Sequence, residues 1–229
     1  MLTELGFVGP AQSDHLYHFT ARNGVFANWV PAEIQKMSGP ARLNAILRDE
    51  QVRAFPPFSV GEAGMPCVCL SESTPEQLAY LIAMMMFGPW GIVTNRAHAN
   101  SRGGGAVAYV PGPVFDTFRR HDLGHWAMRT EAGSTWLHER EWRIPCRSGR
   151  YEIGVLDAIL VGNAAWRPSK VVTEWVNVDT GLPVEADQAE NPHVVPTRED
   201  YPRLWRETPV WAWDRAAGQV VKYEPGELC

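Results

Sequence analysis

Long apolar runs are missing from this chain of 229 residues. The most apolar stretch, residues 78–87, is too short to cross a bilayer, which requires about 20 residues. Residues 1–9 lack a basic start and an apolar centre, so we expect no secretory leader. Only four cysteines are present, too few and too unevenly spaced for a secreted disulfide framework. These absences predict a cytoplasmic protein with reduced thiols and no membrane partner.

Basic charge is also in short supply, because 21 Lys and Arg residues face 26 Asp and Glu residues, giving a net charge of -5. This balance does not favour passive binding of nucleic acid through a broad basic surface. The sequence has no phosphate-binding glycine motif and no nucleophile elbow of the Gly-x-Ser-x-Gly type. The sequence therefore gives no support to a nucleotide-binding P-loop protein or a serine hydrolase.

Strand and helix patterns succeed one another without the regular alternation of a parallel α/β protein. Strands are predicted at residues 15–20, 66–70, 106–110, 136–144 and 155–161. Helices are predicted at residues 40–51, 114–128 and 169–176, and after Thr74. A terminal hairpin is predicted at residues 210–223. The fold class indicated is α+β, with residues 1–180 as the main domain and residues 181–229 as an extension packed on it.

Two carboxylates stand two residues apart in residues 136–144, WLHEREWRI. On a strand, alternation would place Leu137, Glu139, Glu141 and Arg143 on one face. Because unpaired charges are costly to bury, this face must either meet water or line a polar cleft. A Glu-x-Glu pair in a cleft suits the stabilisation of a cationic sugar centre. The alternative is an exposed ion-pair ladder formed by Glu141 and Arg143.

A metal site is the competing chemical hypothesis. His121 and His125 are four residues apart in the predicted helix 114–128 and would share a face, as in zinc peptidases. However, Asp122 replaces the usual glutamate, Gly124 weakens the helix, and no third ligand is apparent. We therefore favour two histidines on a surface helix without metal, and keep a zinc hydrolase as the alternative.

Four motifs follow one another along the chain: residues 17–20 (YHFT), residues 65–71 (MPCVCLS), residues 87–92 (FGPWGI) followed by residues 106–110 (AVAYV), and residues 139–143 (EREWR). Their order resembles that of the AbiGi-type abortive-infection (phage-resistance) proteins. The second motif departs from the family, since Ser71 and Glu72 stand where an aspartate is often expected. The segment after residue 180 has no counterpart in the resemblance.

The layout is also similar to the ADP-ribosyltransferase fold, including DarT-like enzymes that modify DNA bases. This resemblance implies a split, mixed or antiparallel β-sheet core with flanking helices, and NAD bound in the cleft as a substrate. His18, Ser71 and Glu141 follow the order of the fold's signature residues. Glu141 is then expected to stabilise the oxocarbenium-like ribose that forms when nicotinamide leaves.

The remaining site residues follow from the same resemblance. His18 and Thr20 are expected to bind the adenosine ribose, with Tyr17 and Ser71 completing the cofactor-binding set. Glu139 matches the place where some of these transferases contact the acceptor. The segment of residues 129–138, which contains residues 133–135 (GST), is expected to be a mobile loop beside the acceptor.

The implied function is an NAD-dependent mono-ADP-ribosyltransferase that acts as a toxin or phage-defence effector. Its macromolecular acceptor would be a nucleic-acid base or a protein side chain, and a cognate antitoxin would be a further partner. The alternative is a catalytically degenerate binding protein of the same fold, used as an antitoxin or a sensor.

Overall fold

The computed structural model describes residues 12–22, 30–57, 64–132 and 136–229. The side chains of residues 136 and 138 are outside this description. So are residues 1–9, for which the sequence predicts no secretory leader, and residues 133–135, which belong to the predicted acceptor loop. No helix within the described ranges is long and apolar enough to cross a membrane.

The architecture is mixed α+β, which confirms the predicted class. In chain order the strands are β1 (His15–Phe19), β2 (Gln51–Arg53), β3 (Cys67–Glu72), β4 (Gly91–Asn95), β5 (Gly105–Ala106), β6 (Ala108–Pro111), β7 (Ala127–Thr130), β8 (Glu141–Pro145), β9 (Arg150–Glu152), β10 (Ala158–Val161), β11 (Val171–Asn177), β12 (Pro183–Val184), β13 (Val194–Asp200), β14 (Val210–Asp214) and β15 (Gln219–Tyr223). The helices are α1 (Ala32–Lys36), α2 (Gly39–Asp49), α3 (Pro75–Ala83), α4 (Arg96–Ser101), α5 (Gly112–Arg120) and α6 (Arg203–Glu207).

An eight-stranded sheet forms the centre, in the order β15-β14-β10-β4-β1-β3-β8-β5. Its neighbours are antiparallel except for β10 and β14, which run parallel. The predicted terminal hairpin is confirmed as β14 and β15, and it extends this same sheet. The division of the chain at residue 180 stays a prediction.

Helices pack on both faces of the large sheet, and a hydrophobic core lies between the sheet and the helices on each face. On one face, Leu43 and Leu47 of α2 are fully buried against sheet residues such as Leu16 and Trp142. On the other, Leu78 of α3 is buried in a cluster that includes Tyr17. Burying each such side chain stabilises the fold by about 1.5–3 kcal/mol. Both faces of β1 are therefore held in place.

The caps of these two helices follow from the local sequence. The hydroxyl of Ser38 accepts a hydrogen bond from the backbone of Ala41 at the start of α2. Thr74 does the same for Gln77 at the start of α3, where Pro75 is the first helical residue, as predicted. Both helices lie where their apolar spacing predicted them.

Two predicted helices are wrong. The helix predicted at residues 114–128 ends at Arg120, because Asp122 adopts a left-handed backbone with φ 56°. The helix predicted at residues 169–176 is instead β11, which begins with β-branched residues. This strand forms a separate three-stranded sheet in the order β12-β11-β13.

Candidate active site

Three of the predicted site residues lie in one row across neighbouring strands. Tyr17 of β1 is paired in register with Ser71 of β3, and Ser71 is paired in register with Glu141 of β8. Register partners in antiparallel strands project their side chains on the same face. All three line a single cavity of about 410 Å³, which we call the cleft. Residues far apart in the chain are thus brought to one place.

The sheet opens beside this row. β1 and β3 share only two register pairs, Leu16 with Glu72 and Tyr17 with Ser71. Beyond these pairs, β1 stays paired with β4 as far as Phe19. β1 therefore remains in the sheet and loses only its pairing with β3. The two strands therefore diverge after Tyr17, and residues from both strands line the cleft at this point.

His18 occupies the gap between the diverging strands. Its Nδ1 lies 2.9 Å from the carbonyl oxygen of Cys69. By alternation its side chain leaves β1 on the face of Leu16, opposite to that of Tyr17. It nevertheless lines the cleft, because the strands have separated there. His18 and Glu141 consequently face a common space from different sides of the sheet.

The protonation state of His18 follows from its surroundings. A carbonyl oxygen only accepts, so Nδ1 carries the hydrogen of this bond. Burial lowers the pKa of His18, and the bond to Cys69 opposes that effect only in part. The ring is therefore neutral near pH 7 and Nε2 is an acceptor. A neutral Nε2 is suited to accept a hydrogen bond from a ligand hydroxyl.

Glu141 is held by a buried guanidinium. Nε and Nη2 of Arg143 donate to Oε1 and Oε2 of Glu141, each over 2.9 Å. Arg143 is 1% exposed, and its Nη1 donates to the backbone carbonyls of His125 and Ala127. Burial opposes the charge on Arg143, but the attraction and the hydrogen bonds of Glu141, with smaller effects of Cys69 and Cys67, together raise the pKa of Arg143. The pair fixes the carboxylate in a single orientation at the cleft.

Glu139 reaches the cleft from outside the strand. Residues Trp136–Glu139 form a 3-10 turn, and Arg140 has a left-handed backbone with φ 44° before β8 begins at Glu141. The predicted strand over residues 136–144 is therefore wrong in its first half, and Leu137 and Glu139 do not continue its face. Glu139 still lines the cleft and is only 7% exposed.

The left-handed Arg140 is stabilised by a residue from β3. Nη2 of Arg140 lies 2.6 Å from Oε1 of the buried Glu72, and the Glu72 backbone N–H donates to the Arg140 carbonyl. Oε2 of Glu72 accepts a hydrogen bond of 2.9 Å from Nε1 of Trp142. Glu72 thus places the turn that presents Glu139.

An ion pair spans the rim of the cleft. Nη2 of Arg22 lies 2.6 Å from Oε1 of Glu139, and the Arg22 guanidinium lies 5.6 Å from the centre of the Phe87 ring. Burial raises the pKa of Glu139, and Arg22 opposes this shift. The rim therefore combines a half-exposed cation with a carboxyl that is disposed to take up a proton.

Thr20 does not line the cleft. Its hydroxyl donates to the carbonyl of Gly39 over 2.9 Å, and its backbone N–H donates to the carbonyl of Trp90. Thr20 instead borders a second cavity of about 430 Å³ beside α2, which also reaches His18, Phe19 and Arg22. In the structure its hydroxyl connects the end of β1 to α2.

His121 and His125 do not share a helical face. His121 follows the last residue of α5, and His125 lies in a 3-10 turn at residues Gly124–Trp126. His125 is buried rather than on a surface helix, and its Nδ1 accepts from the backbone N–H of Met65 at 3.3 Å. Over the described ranges no three His, Cys, Asp or Glu side chains form a group able to hold a metal ion.

Sequence reasoning missed several residues that line the cleft. Phe19 follows from the alternation that places Tyr17 there, so its position was open to prediction. Arg22 and Phe87 gave no local signal, because their roles depend on Glu139 and on a bridge between Arg22 and Phe87. Cys69 points to the cleft because it shares its face with Ser71.

Comparison of the chain with protein-family models, curated proteins and solved structures gave no match. The chemistry of the cleft has to be argued from its geometry. It offers one oriented carboxylate, a neutral imidazole acceptor and a rim cation within one opening of the sheet.

Proposed function

We propose that this protein is an NAD-dependent mono-ADP-ribosyltransferase, with Glu141 as the residue that stabilises the reacting ribose. The proposal takes its fold type from the resemblance to ADP-ribosyltransferases. The observation that carries it is the row formed by Tyr17, Ser71 and Glu141 next to the opening that holds His18. In the ADP-ribosyltransferase fold, NAD binds in the cleft of a split, mostly antiparallel sheet.

The reaction makes one demand that Glu141 meets. The bond between C1′ of the ribose and the nicotinamide nitrogen breaks, and its electron pair leaves with neutral nicotinamide. The ribose then carries positive charge at C1′, which a fixed carboxylate stabilises without reorganising. The nucleophile of the acceptor forms a bond to C1′ and releases its proton to water. Arg143 keeps the carboxylate in place throughout.

His18 contributes to binding in this proposal. A dinucleotide presents ribose hydroxyls, and the unprotonated Nε2 of His18 accepts from one of them. Tyr17 and Phe19 stack on each other with ring centres 5.7 Å apart, which gives the cleft an aromatic wall. Flat aromatic groups of a ligand pack well against such a wall.

Glu139 selects the acceptor. It lies at the rim and is two residues from Glu141, where an incoming nucleophile must pass. The oxygens of its carboxyl group accept hydrogen bonds from a cationic side chain or from an amino group on a base, and in the ionised form they repel phosphate. The acceptor is therefore a protein side chain or a nucleic-acid base, and a nucleic-acid backbone must be held away from Glu139. The proposed biological role is that of a toxin or phage-defence effector with a cognate antitoxin.

A specific observation favours a second candidate, a catalytically degenerate binding protein that serves as an antitoxin or sensor. Both oxygens of Glu141 are engaged by Arg143, and this reduces the negative charge that remains for a cationic ribose. Such a protein would bind the dinucleotide without breaking it.

Nicotinamide release decides between the two candidates. Purified protein is incubated with NAD and nicotinamide is quantified by chromatography, while NAD binding is measured separately by calorimetry. The transferase should release nicotinamide, and Glu141→Gln should lose the release by at least about 100-fold in protein that circular dichroism shows to be folded. The matched control is Glu174→Gln, since Glu174 is exposed on β11 and pairs only with Arg198 among the contacts described.

Each outcome has one meaning. Release in the wild type and in Glu174→Gln but not in Glu141→Gln supports the transferase. NAD binding without release in the wild type supports the degenerate binding protein. Equal release from the wild type and Glu141→Gln removes Glu141 from the mechanism.

A further inference from the structure

The cleft and the second cavity meet at three residues. His18, Phe19 and Arg22 line both spaces, one on the side of Glu141 and the other on the side of α2. The two cavities have volumes of about 410 Å³ and about 430 Å³. A ligand with two bulky ends and a polar connection would place that connection where the cavities meet.

Arg22 is the cation at this junction. The other three arginines that line the second cavity are engaged elsewhere. Arg48 pairs with Asp49, and Arg53 lies 3.6 Å from Glu33. Arg42 donates to the backbone carbonyls of Ile34 and Thr20. Arg22 projects instead to Glu139 on the opposite rim and is 46% exposed along its side chain. A planar guanidinium with several donors is well suited to a phosphate.

We propose that Arg22 binds the pyrophosphate of a dinucleotide and that Glu139 is the counter-ion which the pyrophosphate displaces. The inference rests on the proposed function, since it assigns the connecting group of the same substrate. In the structure, Glu139 holds Arg22 at the junction through their ion pair. When the dinucleotide binds, its two phosphates replace Glu139 as the partner of Arg22, and Glu139 is left without a counter-ion.

Displacement has a consequence for protons. Burial already raises the pKa of Glu139, and Arg22 is the nearest group that lowers it. The other charged or titratable groups that act on Glu139 are Glu141, Arg143 and Tyr109. Loss of Arg22 to an anion leaves Glu139 beside Glu141, so Glu139 takes up a proton. Binding should therefore absorb a proton and weaken as pH rises.

Calorimetry with ADP-ribose tests this inference, because ADP-ribose carries the pyrophosphate and requires no bond cleavage. Titrations in two buffers of different ionisation enthalpy give both the affinity and the number of protons absorbed. Arg22→Ala should weaken binding by about ten-fold or more, and Arg22→Lys should restore part of it. Glu139→Gln should bind more tightly than the wild type and without proton uptake. Arg215→Ala, which lies exposed in the turn between β14 and β15, is the matched control.

The double variant adds a decisive comparison. If Glu139 acts only by competing for Arg22, Glu139→Gln combined with Arg22→Ala should bind like Arg22→Ala alone. The inference is overturned if Arg22→Ala binds as tightly as the wild type, if Glu139→Gln shows no gain in affinity, or if the wild type does not bind ADP-ribose. Circular dichroism confirms that each variant is folded.

Failure of this inference is distinguishable from failure of the proposed function. If the protein binds ADP-ribose with the expected dependence on Arg22 but releases no nicotinamide, the pyrophosphate site is supported and the transferase activity is contradicted. If the protein releases nicotinamide and the KM for NAD is the same in Arg22→Ala as in the wild type, the transferase activity is supported and the pyrophosphate site is contradicted.

Discussion

Arg143 donates to both oxygens of Glu141 from a position two residues further along the same strand, and each donor–acceptor distance is 2.9 Å. Residues two apart on a strand share a face, so β8 itself provides this pairing. The guanidinium is 1% exposed and also donates to two backbone carbonyls. The carboxylate of the cleft is therefore part of the folded core as well as of the proposed chemistry.

Loss of Arg143 should be costly for stability. Arg143→Ala leaves the buried Glu141 without its counter-charge, and we expect the free energy of unfolding to fall by about 3–5 kcal/mol. Urea denaturation followed by fluorescence measures the change. Arg198→Ala, which breaks an exposed ion pair with Glu174, should cost less than about 1 kcal/mol. Equal losses in the two variants would contradict the role assigned to Arg143.

Glu139 should make stability depend on pH in a defined direction. Burial raises its pKa above the usual 4.5, although Arg22 opposes the shift, so the folded state holds the proton more tightly than the unfolded state. Its contribution to stability is complete below pH 4.5 and is lost as pH rises through the raised pKa. Glu139→Gln should therefore gain stability relative to the wild type as the pH rises from 4.5 through the raised pKa of Glu139. Denaturation across this range measures the difference, and a constant or shrinking gap would be inconsistent with the prediction.

Gly91 permits the close approach of β4 to β1 at His18. A Cβ at Gly91 would lie 2.2 Å from the carbonyl oxygen of His18, so β1 would have to move. We expect Gly91→Ala to lower the free energy of unfolding by about 1–3 kcal/mol and to raise the KM for NAD. Gly154→Ala is the control, because its Cβ would meet only Arg102, at 4.0 Å. An unchanged KM in a folded Gly91→Ala protein would show that the position of His18 is not critical.

Glu139 should affect transfer more than cleavage. Its carboxyl lies at the rim and pairs with Arg22, whereas Glu141 lies in the row next to the opening of the sheet. In Glu139→Ala we expect nicotinamide release to continue and transfer to the acceptor to fall by about ten-fold or more. Parallel assays of nicotinamide and of labelled acceptor measure the two steps. A proportional loss of both would assign Glu139 to the bond-breaking step.

Local sequence predicted those elements whose signals are local. Thr74 and Pro75 marked the start of α3, and the two apolar segments at residues 210–223 marked the terminal hairpin. The end of α5 was missed because the helix predicted at residues 114–128 extends past Asp122. The left-handed backbone of Asp122 does not continue a helix. β11 was missed because a helix is predicted at residues 169–176, although the β-branched residues Val171, Val172 and Thr173 favour a strand there.

The site was predictable only in part, for a physical reason. The order of His18, Ser71 and Glu141 in the chain indicated residues that do line one cleft. The turn at Arg140 depends on Glu72, 68 residues away, and the rim pair joins Arg22 to Glu139, 117 residues away. Such contacts are set by the tertiary structure, so no sequence window contains their signal.

Transfer of label from NAD to a macromolecule tests the central claim most directly. NAD radioactive in its adenylate phosphate is added to cell lysate with the purified protein, and the lysate is then digested with nuclease or with protease. We expect label on one class of polymer with the wild type and with Glu174→Gln, and none with Glu141→Gln. Label that persists in Glu141→Gln, or its absence with the wild type while NAD is bound, would contradict the account.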